Sequence, residues 1–202
     1  ESGLIGGGRI PEPGQVSLAH NGTLFLDEIP ESRRNVLELL RQPIEEGRVT
    51  IARSSMTVTF PSDFMLIAAM NPCPCGYYGD ERHECRCTVN QINSYLNKIS
   101  GPLLDRIDLQ IEVPALDVEE ITGKADGESS ENIRKRVIIA YELQKKRYKD
   151  ESHSFNSQLN GKNLHRYCGI NDKSKMLLEN AIYELGFSAR GYDRILRMAR
   201  TI

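Results

Sequence analysis

Two adjacent carboxylates, Asp27 and Glu28, stand at the end of the apolar stretch Gly22-Thr23-Leu24-Phe25-Leu26. Four strand-favouring or apolar residues in a row read as a buried parallel strand, and open α/β sheets bind ligands beyond the C-terminal ends of such strands. In that position Asp27 would hold Mg²⁺, directly or through water, and Glu28 would polarise the water that attacks a γ-phosphate, the Walker B arrangement. The plainer alternative is a strand ending in a surface Asp-Glu pair. A second apolar run, Phe64-Met65-Leu66-Ile67-Ala68-Ala69-Met70, is too short for a membrane span, suits a strand covered on both faces, and ends in Asn71-Pro72. An amide at the tip of a neighbouring strand can hydrogen-bond both a γ-phosphate and the attacking water. Arg106 lies in the charged turn Gly101-Pro102-Leu103-Leu104-Asp105-Arg106-Ile107-Asp108, ahead of the strand-like Leu109-Gln110-Ile111-Glu112-Val113. Taken alone, it is most simply an arginine paired with Asp105 or Asp108.

A different chemistry is offered by Cys73-Pro74-Cys75-Gly76 and Cys85-Arg86-Cys87, two Cys-x-Cys knuckles nine residues apart. Four thiolates so spaced can surround a tetrahedral Zn²⁺, and a closed four-cysteine site has a structural role. The alternatives are free thiols in a loop or oxidised pairs, with His83 as a possible substitute ligand. Five cysteines, an odd number with four clustered, fit metal binding in a reducing compartment better than a disulfide framework. With 26 basic and 28 acidic residues and a net charge of −2, there is no global electrostatic case for nucleic acid, so any DNA contact must be a local patch. No apolar stretch of about 18 residues and no signal-peptide pattern occurs, and the expected location is the cytoplasm, with no membrane partner.

The elements that must position these groups change character along the chain. Residues 1–113 alternate strands with helices and loops, as an α/β layer requires. A helix is expected over Glu31 to Gln42, with Val36, Leu37 and Leu40 inward and Pro43 near its end. Arg48 to Ala52 and Met56 to Phe60 read as a β-hairpin across Arg53-Ser54-Ser55. Residues 114–202 read as all-α. A helix capped by Ser129-Ser130 runs to about Lys149, with Ile133, Val137, Ala140, Tyr141, Gln144 and Tyr148 as its inward stripe. A short segment near Leu164, a helix from Asp172 to Leu185 closed by Gly186, and a last helix opened by Ser188 follow. At about 100° per residue, Tyr192, Ile195, Leu196 and Ala199 share one face of the last helix, opposite Arg190, Arg194 and Arg197. Cys168 reads as a buried or half-buried thiol.

In this order the motifs resemble the AAA+ module of the magnesium chelatase-related proteins of the ComM/YifB group. The resemblance covers essentially the whole chain and is most specific in Gly3 to Gly8, Ser17 to Glu28, Ala69 to Asp80, Gly101 to Asp108 and Ser188 to Arg197. It implies a P-loop-type parallel sheet flanked by helices over 1–113, followed by an α-helical lid over 114–202. It also implies a ring-forming, hexameric ATPase using ATP and Mg²⁺, associated with DNA branch migration during natural transformation. By the same resemblance Asn71 takes the sensor 1 role, Arg106 that of an arginine finger offered to a neighbour's nucleotide, and Arg190 that of sensor 2 on the lid. The hairpin would project into the ring's pore, where Arg48 and Arg53 form a circle of positive charge that tracks DNA phosphates, unless they are merely solvated. Gly6, Gly7 and Gly8 form either a second pore loop or a turn. One departure stands out: no Gly-x-x-x-x-Gly-Lys-Ser/Thr loop occurs in the 202 residues. The family places that loop upstream, and with Glu1 first and Ile202 ending in mid-helix, the expectation is a fragment with half an ATP site that hydrolyses nothing alone. Two further readings stay open: a chelatase-like motor acting on a protein partner, and a non-catalytic scaffold should the full gene lack the loop.

Overall fold

A computed structural model describes residues 2–53, 56–114, 122–123, 127–149, 151, 153–186 and 188–202. The chain divides into two compact units, Glu1–Ile111 and Glu112–Ile202.

The first unit is built on a parallel pair of strands, β3 (Thr23–Leu26) and β6 (Met65–Ala68), aligned Thr23 with Met65 through Leu26 with Ala68. Between them in sequence lie α3 (Arg34–Glu38), α4 (Arg41–Glu46) and the antiparallel hairpin β4 (Arg48–Ala52) and β5 (Thr57–Pro61). Ahead of β3 come α1 (Ser2–Ile5), the two-residue strands β1 (Gly6–Gly7) and β2 (Glu12–Pro13), and α2 (Gln15–Leu18). The unit closes with α5 (Val89–Leu96) and α6 (Gly101–Leu104). One core gathers Val16, Leu24, Ile29, Leu37, Leu40, Val49, Ile51, Ile99 and Leu103.

Three expectations are corrected here. The two apolar strands are not covered on both faces: Leu24 is buried, whereas Phe25 and Met65 are each 58% exposed and Ile67 is 44% exposed. Period-two alternation places Leu24 on the opposite face from Phe25, and the described elements pack against the Leu24 face alone. The segment from Leu109 to Val113 joins no sheet among the described residues, and Leu109, Ile111 and Val113 are exposed. The single helix expected from Glu31 to Gln42 is instead a 3-10 turn (Ile29–Glu31), α3 and α4. Pro43 lies in the first turn of α4 rather than at a helix end. Its ring would clash with the Leu39 carbonyl and it has no N–H to donate there, so the chain tightens through Leu39 and Leu40 before the helix resumes. Leu37 and Leu40 are nonetheless the buried positions expected.

In the glycine run, Gly6 and Gly7 form β1 and Gly8 begins the turn into β2. Gly6 has φ +104, and a Cβ there would stand 2.4 Å from the Glu12 carbonyl oxygen, so only glycine permits the β1–β2 pairing.

The second unit contains α7 (Ser130–Arg147), α8 (Gly161–Tyr167), α9 (Asp172–Leu185) and α10 (Ala189–Thr201). The expected punctuation is present: Ser129 and Ser188 accept N-cap hydrogen bonds, and Gly186 closes α9 in the left-handed conformation. The inward stripe of α7 is corrected. Only its C-terminal end packs, through Tyr148, against Leu159, Leu164, Cys168 and Leu196, while Ile133, Val137 and Tyr141 are exposed. Polar ties reinforce that end: buried Asn156 accepts from the Tyr148 hydroxyl at 2.6 Å and from Arg147 at 2.9 Å, and donates to Thr201 at 2.9 Å. On α10 Leu196 is buried but Ala199 is exposed, and Arg197 donates to the carbonyls of Ser157 and Leu159 rather than lying on a solvated face.

Candidate functional site

The parallel register fixes where the chemistry-bearing tips lie. Ala69 donates its N–H to Leu26 and Ile29 donates to Ala69, at 2.9 and 3.1 Å, so the ladder continues past both strands. Asp27 and Glu28 therefore stand beside the segment that leads into Asn71, at the C-terminal ends of two adjacent parallel strands. All three side chains are exposed. Glu28 adopts φ 47, ψ 44, and its N–H donates to the Asp27 carboxylate at 2.9 Å. A left-handed non-glycine residue costs about 1–3 kcal/mol and persists where surrounding structure enforces it, often at functional sites. Here it reverses the chain at the strand tip so that two carboxylates leave in succession. One Asp27 oxygen accepts that backbone N–H, and the side chain is otherwise exposed.

Beneath this tip lies Tyr95 of α5, which is buried. Burial pushes its hydroxyl pKa up, as do the charges of Glu31 and Glu28, while a hydrogen bond with the Asn71 backbone opposes the shift. That contact links the Asn71 segment to α5. Lys98, one turn beyond Tyr95, pairs with Glu31 at 3.9 Å.

Arg106 is held within its own chain. Its Nε donates to Glu45 Oε2 at 3.1 Å, its Nη2 pairs with the same carboxylate, and its Nη1 donates to the Pro102 carbonyl at 2.6 Å. The side chain is only 10% exposed, whereas Glu45 is 43% exposed. A partner is thus a residue 61 positions away on α4, which local sequence does not announce. Arg190 lies exposed in the first turn of α10, in the second unit.

The hairpin separates its two arginines. Arg53 follows β4 at the turn, where its Nε donates to the Gly8 carbonyl at 3.2 Å and its backbone N–H bonds Met56; Ser54 and Ser55 lie outside the described residues. Arg48 is at the base, opposite Pro61, and its Nε donates to Glu46 at 3.1 Å. Both arginines thus belong to the hairpin, but five residues of extended strand separate the ends of β4 by about 13 Å. Glu46, two residues before Arg48, was the sequence signal for that pairing.

The four cysteines of the knuckles come together. Cys73 Sγ is 3.4 Å from Cys75 Sγ and 3.7 Å from Cys85 Sγ, Cys75 and Cys85 are 3.6 Å apart, and all four sulfurs lie within 4.8 Å of one another. Backbone N–H groups of Tyr77 and Arg86 point at the Cys75 sulfur and lower its pKa from 9.0 to about 6. Burial and the neighbouring sulfurs push Cys87 up to about 12. His83 is not part of the cluster: it stacks on Tyr77 at 4.9 Å and bonds Asp80 at 3.3 Å. Asp80 also accepts the N–H groups of Arg82 and His83, folding 77–83 into the turn that returns Cys85 to Cys73. Cys168 is buried and its pKa is raised by that burial.

Comparison with known proteins shows what this chain is similar to. Residues 1–121 match the family described as magnesium chelatase, subunit ChlI, and residues 127–202 match the C-terminal part of the same subunit. The competence protein ComM of Haemophilus influenzae is 47% identical over 200 residues, 98% of this chain and 38% of that protein. YifB of Escherichia coli is 44% identical over 201 residues, again 38% of its length. The magnesium-chelatase 38 kDa subunit of Cereibacter sphaeroides is 28% identical over 113 residues, 56% of this chain and 27% of that protein. The chain thus spans 38% of the length of the ComM and YifB relatives that it matches. No helix among the described residues is long and apolar enough to cross a membrane.

Proposed function

The chain belongs to the magnesium chelatase subunit ChlI family, alongside ComM and YifB, and from that premise we propose that it carries the strand-tip part of an ATP-hydrolysing site in a ring-shaped, hexameric motor acting on DNA in the cytoplasm. The family implies a fold of the AAA+ type, and the observation that carries the proposal is the parallel β3–β6 register that brings Asp27-Glu28 and the Asn71 segment side by side. Bound Mg-ATP would supply the electrophilic γ-phosphate and the divalent charge. Asp27 offers its second carboxylate oxygen to the cation. Glu28 orients water and takes its proton. Asn71 donates its amide to a phosphate oxygen and fixes the attack line. Arg106, released from Glu45, serves a neighbouring subunit, and Arg190 serves the nucleotide from the lid.

The DNA part draws support from 47% identity to a protein named for competence and from Arg53 at the hairpin turn. Repeated around a ring, one arginine per subunit gives a sequence-independent hold on phosphates. Arg48 then braces the hairpin base through Glu46. A chelatase-type motor that acts on a protein partner is the second reading, favoured by the match to the 38 kDa chelatase subunit. ATP turnover by the full-length protein, measured with and without single- and double-stranded DNA, separates the two. DNA should raise turnover, with a steep loss at high salt; Arg53→Ala should remove the stimulation and spare basal turnover, and Arg48→Ala should keep both. Turnover indifferent to every DNA would remove the DNA reading and leave the protein-partner one.

A further inference from the structure

We infer that Cys73, Cys75, Cys85 and Cys87 hold one Zn²⁺ in a closed tetrahedral site that pins the strand tip carrying Asn71. The geometry comes first. A tetrahedron with Zn–S bonds of about 2.3 Å has S···S edges of about 3.8 Å. Three of the separations here are 3.4, 3.6 and 3.7 Å, and all four sulfurs lie within 4.8 Å, so the thiols already outline a cage for a single ion. Four soft thiolates in tetrahedral array suit zinc, and with all four positions taken by protein the site has no place for substrate.

Beyond the Asp80 turn and the Tyr77–His83 stack, the loop has little to hold it closed. Among 74–87 no side chain is fully buried, and Tyr77 and Tyr78 are exposed. The only covered cluster in it is sulfur. What the loop connects gives the site its task. Cys73 follows Asn71 by two residues, and Cys87 precedes Thr88, the N-cap of α5, whose capping box with Gln91 sets the helix start. Tyr95, two turns into α5, contacts the Asn71 backbone. One ion therefore closes a circuit from β6 through the knuckles into α5 and back to Asn71, holding that amide where an open loop of about 15 residues would let it drift.

The test uses full-length protein purified without chelators and without a metal-affinity column. Elemental analysis should find about one equivalent of zinc, and zinc-edge absorption should show four sulfur neighbours at about 2.3 Å. Removing the metal with a mercurial, or replacing Cys75 and Cys87 by serine, should speed amide exchange over 69–75 and at the start of α5, leaving β4 and β5 protected. Absence of metal together with four rapidly titrating thiols would overturn the site, and stoichiometric iron would overturn its identity. Unchanged exchange around Asn71 after zinc loss would overturn the positioning role. Should the double variant fail to fold, metal content and sulfur coordination of the unaltered protein still decide.

Discussion

Replacing Arg106 by alanine separates the intrachain brace seen in the structure from the arginine-finger role proposed for it, because the two carry very different energies. Within the chain, the guanidinium makes two contacts with Glu45 and one with the Pro102 carbonyl. Glu45 is 43% exposed, so once the arginine is gone its carboxylate is rehydrated rather than stranded. The loss should cost about 1–2 kcal/mol, enough to lower the melting temperature by a few degrees but not to unfold the unit. A finger acting on a neighbour's γ-phosphate is worth about 10³–10⁵ in turnover, or about 4–7 kcal/mol of barrier. The assay is therefore paired: thermal unfolding and ATP affinity on isolated full-length subunits, then steady-state hydrolysis on the assembly. Affinity should be kept and hydrolysis should fall at least a thousandfold. Glu45→Gln, which weakens the pairing but leaves the arginine, should retain turnover. Mixing Arg106→Ala with Glu28→Gln subunits should restore some hydrolysis, because a fraction of interfaces then pairs an intact Glu28 with an intact arginine. A fall of tenfold or less with no rescue at any ratio would make Arg106 a brace for α4 and nothing more.

Two stability predictions follow from single contacts. Asn156→Ala would leave the buried Tyr148 hydroxyl without its 2.6 Å acceptor and cut the tie to Thr201, costing about 2–3 kcal/mol, readable by chemical denaturation with the exchange loss confined to the second unit. Gly6→Ala would drive a Cβ to 2.4 Å from the Glu12 carbonyl at φ +104, so the β1–β2 turn should open and stability should drop by about 1–3 kcal/mol; an unchanged denaturation midpoint would contradict that backbone geometry.

What was legible in the sequence was local. The caps at Ser129 and Ser188, the Gly186 stop and the presence of the hairpin each depend on neighbours within a few residues, so residue types alone announce them, although β5 begins at Thr57, one residue later than expected. The Asp27-Glu28 tip and the cysteine grouping were legible for the same reason, as breaks in apolar runs and as paired knuckles. The misreadings concern contacts that sequence distance hides. Arg106 finds Glu45 across 61 positions, and no local rule prefers it over Asp105. Periodicity reported which residues of α7, β3 and β6 are apolar but not whether anything covers them, and Phe25, Ile67 and Val137 lie bare. The split at Leu39–Leu40 was within reach, because Pro43 lies four residues beyond the carbonyl it must avoid.

The central claim, that the β3 tip hydrolyses ATP through Glu28, is tested most directly by single-turnover hydrolysis in the full-length protein carrying Glu28→Gln, with nucleotide affinity measured alongside. The substitution keeps the size of the side chain and removes its capacity to take a proton, so ATP should bind with near-normal affinity while the chemical step falls by a hundredfold or more. Hydrolysis at a near-normal rate by that variant would contradict the account and return Asp27-Glu28 to the status of a surface pair at the end of a strand.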